Sequence, residues 1–305
     1  MHRAFEVTIL GTGSAAPTKY RNPSGQLVRM EGEYFLIDCG EGTQHQIVRL
    51  GLRMHKIKYV LISHLHGDHF YGLPGLLTTM SLFGRTEKLI VVGPEPLKNV
   101  LETIFAASEG RITYEIEYVF TNFDKPTCVF KHNFWELHTI PLQHRIACTG
   151  FILKEAGPER KINIEVCEKL RVPISWYEEL KAGGDWVLED GTTVQNSLLT
   201  LPGKKNRSYA YISDSIYDEN LLPHLQSLDL LYHEATFLDE LIARARETFH
   251  TTARQAGQMA ARAGVQKLLI GHFSSRYHDA EPLLAEAKAE FDNTEIAVEG
   301  QTYAV

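Results

Sequence analysis

The densest metal-ligating chemistry in the chain lies in KYVLISHLHGDH, residues 58–69, where His64, His66, Asp68 and His69 fall within six positions. Imidazole nitrogens and carboxylate oxygens are ligands that zinc takes. Four such groups so close together cannot all reach one ion without backbone strain. They suit two neighbouring ions, with His64 and His66 on one and Asp68 and His69 on the other. Gly67 fits that reading, because a tight ligand loop needs permissive backbone angles. The alternative is a polar loop that is merely rich in histidine.

Such a cluster has to be held by rigid elements. Tyr59, Val60, Leu61 and Ile62 form an apolar run that stops at Ser63. This reads as a buried strand, and strand ends are where α/β folds bind ligands. The same arrangement recurs three times. PLQH ends a strand in His144, RSYAYIS runs into Asp214, and VQKLLIGH ends in His272. With the central four, these make seven candidate ligands. DLLYHEAT is a further strand, ending in His233 and Glu234, with His233 open to either a packing or a functional role. FEVTIL (5–10) leads into GTGS, which lacks the third glycine and the following helix of a dinucleotide fingerprint. Residues 26–30 and 33–38 read as a hairpin, and 112–140 as antiparallel strands. Helices are expected at 44–50, where His45 reads as structural, and in LPGLLTTMSLFG, PLKNVLETIFAAS and TTARQAGQMAARAG, the last closed by Gly264.

With 305 residues, 44% of them hydrophobic, the chain can bury a sizeable core and reads as a single domain over residues 1–305. It has no run of roughly 18 apolar residues, so no membrane span is expected. MHRAFEVTILGTGS lacks the apolar core and cleavage site of a signal peptide. Cys39, Cys128, Cys148 and Cys167 show no CxxC spacing, and scattered cysteines of this kind fit a reducing cytoplasm. The net charge of -7 excludes a global basic footprint, so a nucleic-acid partner would have to meet a local patch. Lys204, Lys205 and Arg207, in the loop just before the strand to Asp214, and Arg276, just after His272, are the candidate phosphate contacts. The alternative for these charges is a solvated loop. From about Ala156 to Asp185 the texture changes. INIEVCEKL and SWYEELKAG read as two short helices separated by Pro173, and between Lys154 and Lys181 six basic residues balance six acidic ones. Residues 156–185 therefore read as an inserted arm.

HxHxDH followed by a later His, a later Asp and a final His is similar to the pattern of the metallo-β-lactamase superfamily. FLIDCGEGTQHQI, SHLHGDHFYGLPGLL, HEATF, FHTTARQA and GHFSSRY resemble its ribonuclease Z branch, the tRNA 3′-processing endonucleases, across nearly the whole chain. The resemblance implies an α/β fold of the αββα type: two mixed sheets face to face, helices outside, metals at one edge. It implies two zinc ions per subunit. His64, His66 and His144 would hold one, Asp68, His69 and His272 the other, and Asp214 would bridge them. His66 stands where the iron-binding redox branch commonly has Glu. Two metals about 3.5–4 Å apart clamp the attacking and leaving oxygens of an in-line displacement. Asp68 would orient the attacking water or take its proton. His250 is the candidate donor to the departing ribose oxygen, with Glu234 orienting it.

The implied partner is precursor tRNA, cut after the mature 3′ end to leave a 3′-hydroxyl and a 5′-phosphate on the trailer. The implied assembly is a homodimer in which one subunit's arm serves the other's site. One feature departs from the family pattern. A Gly-Pro-rich turn is characteristic between the arm helices, but here Pro173 is followed by Ile174 and Ser175, and the arm's Gly-Pro lies earlier, at Gly157–Pro158. Two alternatives remain. One is a small-molecule phosphodiesterase, or a hydrolase of esters or lactams, which has little use for an arm. The other is a catalytically silent RNA-binding protein, against which the seven intact ligand positions speak.

Overall fold

The computed structural model describes residues 4–158 and 160–305. Residues 1–3, part of the stretch read as free of a signal peptide, and residue 159, one of the acidic residues counted in the arm, lie outside the described residues. Along the chain come β1 (Phe5–Gly11), β2 (Gly25–Met30), β3 (Glu33–Cys39), β4 (Ile57–Leu61), β5 (Leu89–Gly93) and β6 (Ile116–Phe120). β7 (Thr127–Lys131), β8 (Trp135–Leu142) and β9 (Cys148–Glu155) follow. Then come the short strands β10 (Arg160–Ile162), β11 (Trp186–Val187), β12 (Thr193–Val194) and β13 (Thr200–Pro202). β14 (Ser208–Ile212), β15 (Leu230–Glu234), β16 (Leu268–Gly271), β17 (Thr294–Ile296) and β18 (Thr302–Ala304) complete the set.

One sheet has the order β18-β1-β2-β3-β4-β5-β6 and the other β17-β16-β15-β14-β9-β8-β7. Both are mixed. β3 to β6 and β14 to β17 are parallel runs, whereas β7, β8, β9 and β14 pair antiparallel. Strands that are apolar on both faces need a cover on each side. Between the sheets Phe35 stacks on Tyr59 at 4.8 Å and meets Trp135 edge-on at 5.1 Å. Outside the first sheet, the helices Thr43–Arg49, Leu73–Leu82 and Pro96–Ala107 bury Ile47, Leu76, Leu77 and Leu101. Outside the second, Ala253–Ala263 and Glu281–Glu290 bury Ala256, Met259, Ala260 and Leu283. The helix Ala253–Ala263 starts in a capping box of Thr252 and Gln255 and ends at Gly264 in the left-handed conformation, φ 61°. This is the expected αββα sandwich.

The segment expected to form an arm packs with residues beyond 185. Its helices, Ile164–Lys169 and Tyr177–Lys181, are too short to persist unsupported. They bury Cys167 and Leu180, with Val172 from the turn between them, against Trp186 and Leu199 from the returning segment. β10 pairs with β13, and β11 with β12. The segment's packing and pairing therefore extend to Pro202. It leaves the sandwich at the end of β9 and rejoins it at the start of β14. Because β8 and β14 run the same way and β9 against them, this is the sheet end opposite the one at which His144 and Asp214 emerge.

Candidate metal centre

The predicted ligands meet where β4, β8, β14 and β16 stop. His64, His66 and His144 bring ligand atoms within 4.8 Å of one another, as do Asp68, His69 and His272, and His64 and His69 do the same with Asp214. His66 Nδ1 lies 3.1 Å from His64 Nε2 and 3.0 Å from His144 Nε2. Asp214 Oδ2 is 2.6 Å from His69 Nε2 and 3.3 Å from His64 Nε2, while its Oδ1 is 3.2 Å from His272 Nε2. Asp68 Oδ2 lies 3.4 Å from His69 Nε2 and 3.5 Å from His272 Nε2.

The far ring nitrogens decide which atoms face inward. His144 Nδ1 donates to the Phe249 carbonyl at 3.2 Å, and His69 Nδ1 meets Asp38 Oδ2 at 2.7 Å. His64 Nδ1 is 3.0 Å from Ser63 Oγ, and His272 Nδ1 is 3.1 Å from Thr236 Oγ1. Each ring thus presents Nε2 as a ligand atom, in the way outer partners fix metal-binding imidazoles. His69 Nε2, His272 Nε2 and Asp214 Oδ1 are buried without a hydrogen-bond partner of good geometry. Buried polar atoms are normally satisfied. Orphans that converge on common points, with a His/Asp donor set, fit divalent ions.

Carboxylates dominate the local field, which favours positive charge at this cluster. Burial opposes the ionised form of Asp214, yet His272, His69 and His64 hold its carboxyl well below the usual carboxylate range. Burial likewise opposes the His69 cation, and Asp214, Asp68 and Asp38 outweigh it, raising His69 well above its ordinary value.

Much of the positioning lies in the backbone. Asp38 (φ 54°), Asp214 (φ 56°), His272 (φ 56°), Phe249 (φ 59°) and Ala15 (φ 61°) all adopt the left-handed conformation without being glycine. The Ala15 N–H donates to Asp68 Oδ2 at 2.8 Å. Conformations of this kind cost about 1–3 kcal/mol each and cluster at functional sites. Gly67 does not use the permissive backbone angles expected of it. It is helical rather than left-handed, and a Cβ there would stand 2.3 Å from the ring of Tyr71.

His250 lies beside the cluster, its Nδ1 3.1 Å from Glu234 Oε2 and 3.5 Å from Asp214 Oδ1. Burial would lower its pKa, but Glu234 and Asp214 overcome this and push it up to about 9. Glu234 is itself buried and also accepts from Ser215 N at 2.7 Å and Thr251 N at 3.2 Å. His233 is buried and turned away, its Nδ1 donating to the Glu234 carbonyl at 2.8 Å.

The basic loop is not brought to the site. β14 separates it from Asp214 by about 20 Å of extended chain. Lys204 pairs with Glu155, Arg207 Nη2 lies 2.6 Å from Glu155 Oε1, and Lys205 Nζ lies 2.6 Å from Asp229 Oδ1. These cations neutralise carboxylates at the far end of the sheet. Replacing Lys204 and Lys205 together with Ala is therefore expected to leave kcat/KM for a small aryl phosphodiester unchanged; a large loss would return this loop to the site. Arg276 stays on the metal edge, exposed, its guanidinium 5.1 Å from the centre of the Phe237 ring.

Two contributors were missed in the sequence. Arg145, exposed next to His144, lines the mouth of the ≈ 460 Å³ pocket together with Tyr71, Glu41 and residues 14–17. Its adjacency to a predicted ligand was the available signal. Asp38 was read only as the end of a strand. In the structure it is buried and accepts from Ser63 N at 2.8 Å, Ser63 Oγ at 2.9 Å and Tyr211 OH at 2.8 Å while holding His69. Asp38→Asn keeps the size and loses the charge behind His69. It should lower metal affinity or activity by about 10–100-fold, read by metal titration on protein whose circular dichroism is unchanged.

A family model described as Anti-Pycsar protein Apyc1 matches residues 5–155. Ribonuclease Z of Parabacteroides distasonis is 38% identical over 301 residues, covering 99% of each chain. Ribonuclease Z of Cytophaga hutchinsonii is 44% identical over 304 residues, covering 99% of this chain and 96% of its own. Among solved structures, the short form of human tRNase Z superposes with a TM-score of 0.70 at 24% identity over 98% of both chains. The metallo-β-lactamase fold protein YhfI from Bacillus subtilis gives 0.70 at 18% identity over 100% of both. These two likenesses show the fold.

Proposed function

The chain belongs to the ribonuclease Z family, and from that premise we propose that it is a zinc-dependent endoribonuclease that removes the 3′ trailer from precursor tRNA. One observation carries the chemistry. Two ligand triads joined by Asp214 lie at one pocket, which His66, Asp68, His144, Asp214, His272 and His250 line, with Glu234 buried behind His250. His64, His66 and His144 would hold one zinc ion and Asp68, His69 and His272 the second, with Asp214 reaching both. Two such ions supply an activated water at neutral pH and charge neutralisation for the phosphoryl oxygens.

The chain's own residues do the rest. Asp68 is held by the Ala15 N–H, so its carboxylate is fixed to orient the attacking water. His250 lines the pocket with Nδ1 engaged by Glu234, which leaves Nε2 to give a proton to the departing 3′ oxygen of the tRNA. The water oxygen ends on the trailer's 5′-phosphate. Arg145 and Arg276, rather than the loop at Lys204, are the cations at this edge that suit flanking phosphates.

The assembly proposed is a homodimer. Val48, Leu82 and Phe83 are exposed apolar side chains beside a groove of ≈ 600 Å³ on the first sheet's helical layer, a surface that a second copy would cover. No helix among the described residues is long and apolar enough to cross a membrane. Four unpaired cysteines support a reducing, cytoplasmic setting.

The test is cleavage of a precursor tRNA bearing a 3′ trailer, with and without chelator. Metal-dependent release of an intact trailer with a 5′-phosphate is expected. If metal-loaded protein ignores this RNA but hydrolyses small phosphodiesters, the tRNA assignment fails.

A further inference from the structure

We propose that Cys128, Glu136 and His138 form a second, independent metal site, on the outer face of the β7–β8 pair and suited to one zinc-class ion. Each offers a ligand atom, and these atoms lie within 4.8 Å of one another. The sheet places them there. Cys128 and His138 are direct cross-strand partners, a relation that sets Cβ atoms about 4.5–5.5 Å apart. Glu136 is two residues from His138 on β8 and so shares its face. Trp135, Leu137 and Thr139 are buried on the other face.

A bulge between Cys128 and Phe130 completes the arrangement. It lets both Val129 and Phe130 pack towards the core between the sheets, while Cys128 stays on the face of His138. An extra residue of this kind re-aims side chains without ending the pairing.

The donor set has a definite preference. His138 Nε2 already lies 2.9 Å from Glu136 Oε2, so nitrogen and carboxylate converge before any ion arrives. Lys131 Nζ, 3.2 Å from Glu136 Oε1, is 80% exposed and can yield that contact to solvent. Cys128 is an unpaired, exposed thiol. A free thiol is mostly protonated at neutral pH. Binding then exchanges one thiol proton for one metal–sulfur bond. Thiolate, imidazole and carboxylate together favour zinc or cobalt over magnesium or calcium, and three protein ligands leave the fourth tetrahedral position to water. His138 is six residues before His144 along an extended strand, about 20 Å from the catalytic cluster. An ion here would clamp β7, the edge strand of its sheet, to β8.

Cobalt(II) tests this directly. None of the seven catalytic ligands carries sulfur, so a sulfur-to-cobalt charge-transfer band reports the new site, and Cys128→Ser separates it from the Cys148 thiol, 3.7 Å from His64 Nδ1. Titration of the metal-free protein should give that band with one equivalent beyond those taken by the catalytic cluster, with one proton released and displacement by zinc. Cys128→Ser and His138→Ala should each remove the band and leave precursor-tRNA cleavage by zinc-loaded protein unchanged. All three residues are at the surface, so these variants do not threaten the fold. No band in the wild-type protein, or a band that survives Cys128→Ser, overturns the proposal. Neither outcome bears on the nuclease reading, which the chelator assay decides separately.

Discussion

Asp68→Ala is expected to abolish hydrolysis of every phosphodiester, precursor tRNA and small aryl diester alike. The carboxylate does two things that no neighbour can replace. It stands within 3.5 Å of both His69 Nε2 and His272 Nε2, completing their triad, and it is pinned by the Ala15 N–H at 2.8 Å. A positioned proton acceptor alone is worth roughly 10²–10⁴-fold, and loss of a ligand adds to that. Asp68→Asn separates the two contributions. It keeps an oxygen for Ala15 and loses the charge, so it should retain fold and part of the metal while losing turnover. The measurements are kcat with both substrates and metal content per chain. A metal-loaded Asp68→Ala protein that still turns over the aryl diester would remove Asp68 from the mechanism.

What could be read in the sequence, and what could not, follows from geometry. His64, His144, Asp214 and His272 were legible because each follows a run of buried strand residues, and a polar side chain after such a run projects from the sheet's edge. His250 and Glu234 were legible only through the resemblance, since neither spacing nor burial in one dimension pairs residues sixteen apart. Asp38 was missed because its role exists only once β3 lies beside β4 and Tyr211 crosses from the other sheet. The left-handed backbone at Asp38, Asp214 and His272 was equally invisible, because no glycine marks it. The loop at Lys204 misled for the opposite reason. Seven to ten residues looked close to Asp214, but in a strand such a separation becomes distance, and Glu155 and Asp229 take up the charges. The arm's onset showed as a change of texture. Its end did not, because the return is defined by β13 pairing with β10 and by Leu199 filling the arm's core.

The pairing of β10 with β13 shapes the other large effect. Replacing residues 163–199 by a short turn that joins β10 to β13 should abolish precursor-tRNA cleavage and spare the aryl diester. The excision removes the whole arm core and keeps the strand pair that closes its base, whereas a cut at 185 would strand Trp186 and Leu199 in solvent. Exosite contacts of this kind raise effective affinity by roughly 10²–10⁴-fold without touching the chemistry. The arm is also rooted at the end of its own sandwich remote from its own candidate metal centre, with β9 and β14 between them. It is therefore better placed to serve the partner's pocket in the proposed dimer. Mixing the arm-deleted protein with full-length Asp68→Ala protein tests this. Each heterodimer would pair an intact arm on one subunit with an intact pocket on the other. Subunits exchanged at equal amounts should recover about a quarter of the wild-type rate per chain, because half the dimers are mixed and each has one working site of two. An arm acting on its own subunit's pocket would recover nothing, and an arm that plays no part in tRNA cleavage would leave the deletion variant active before any mixing.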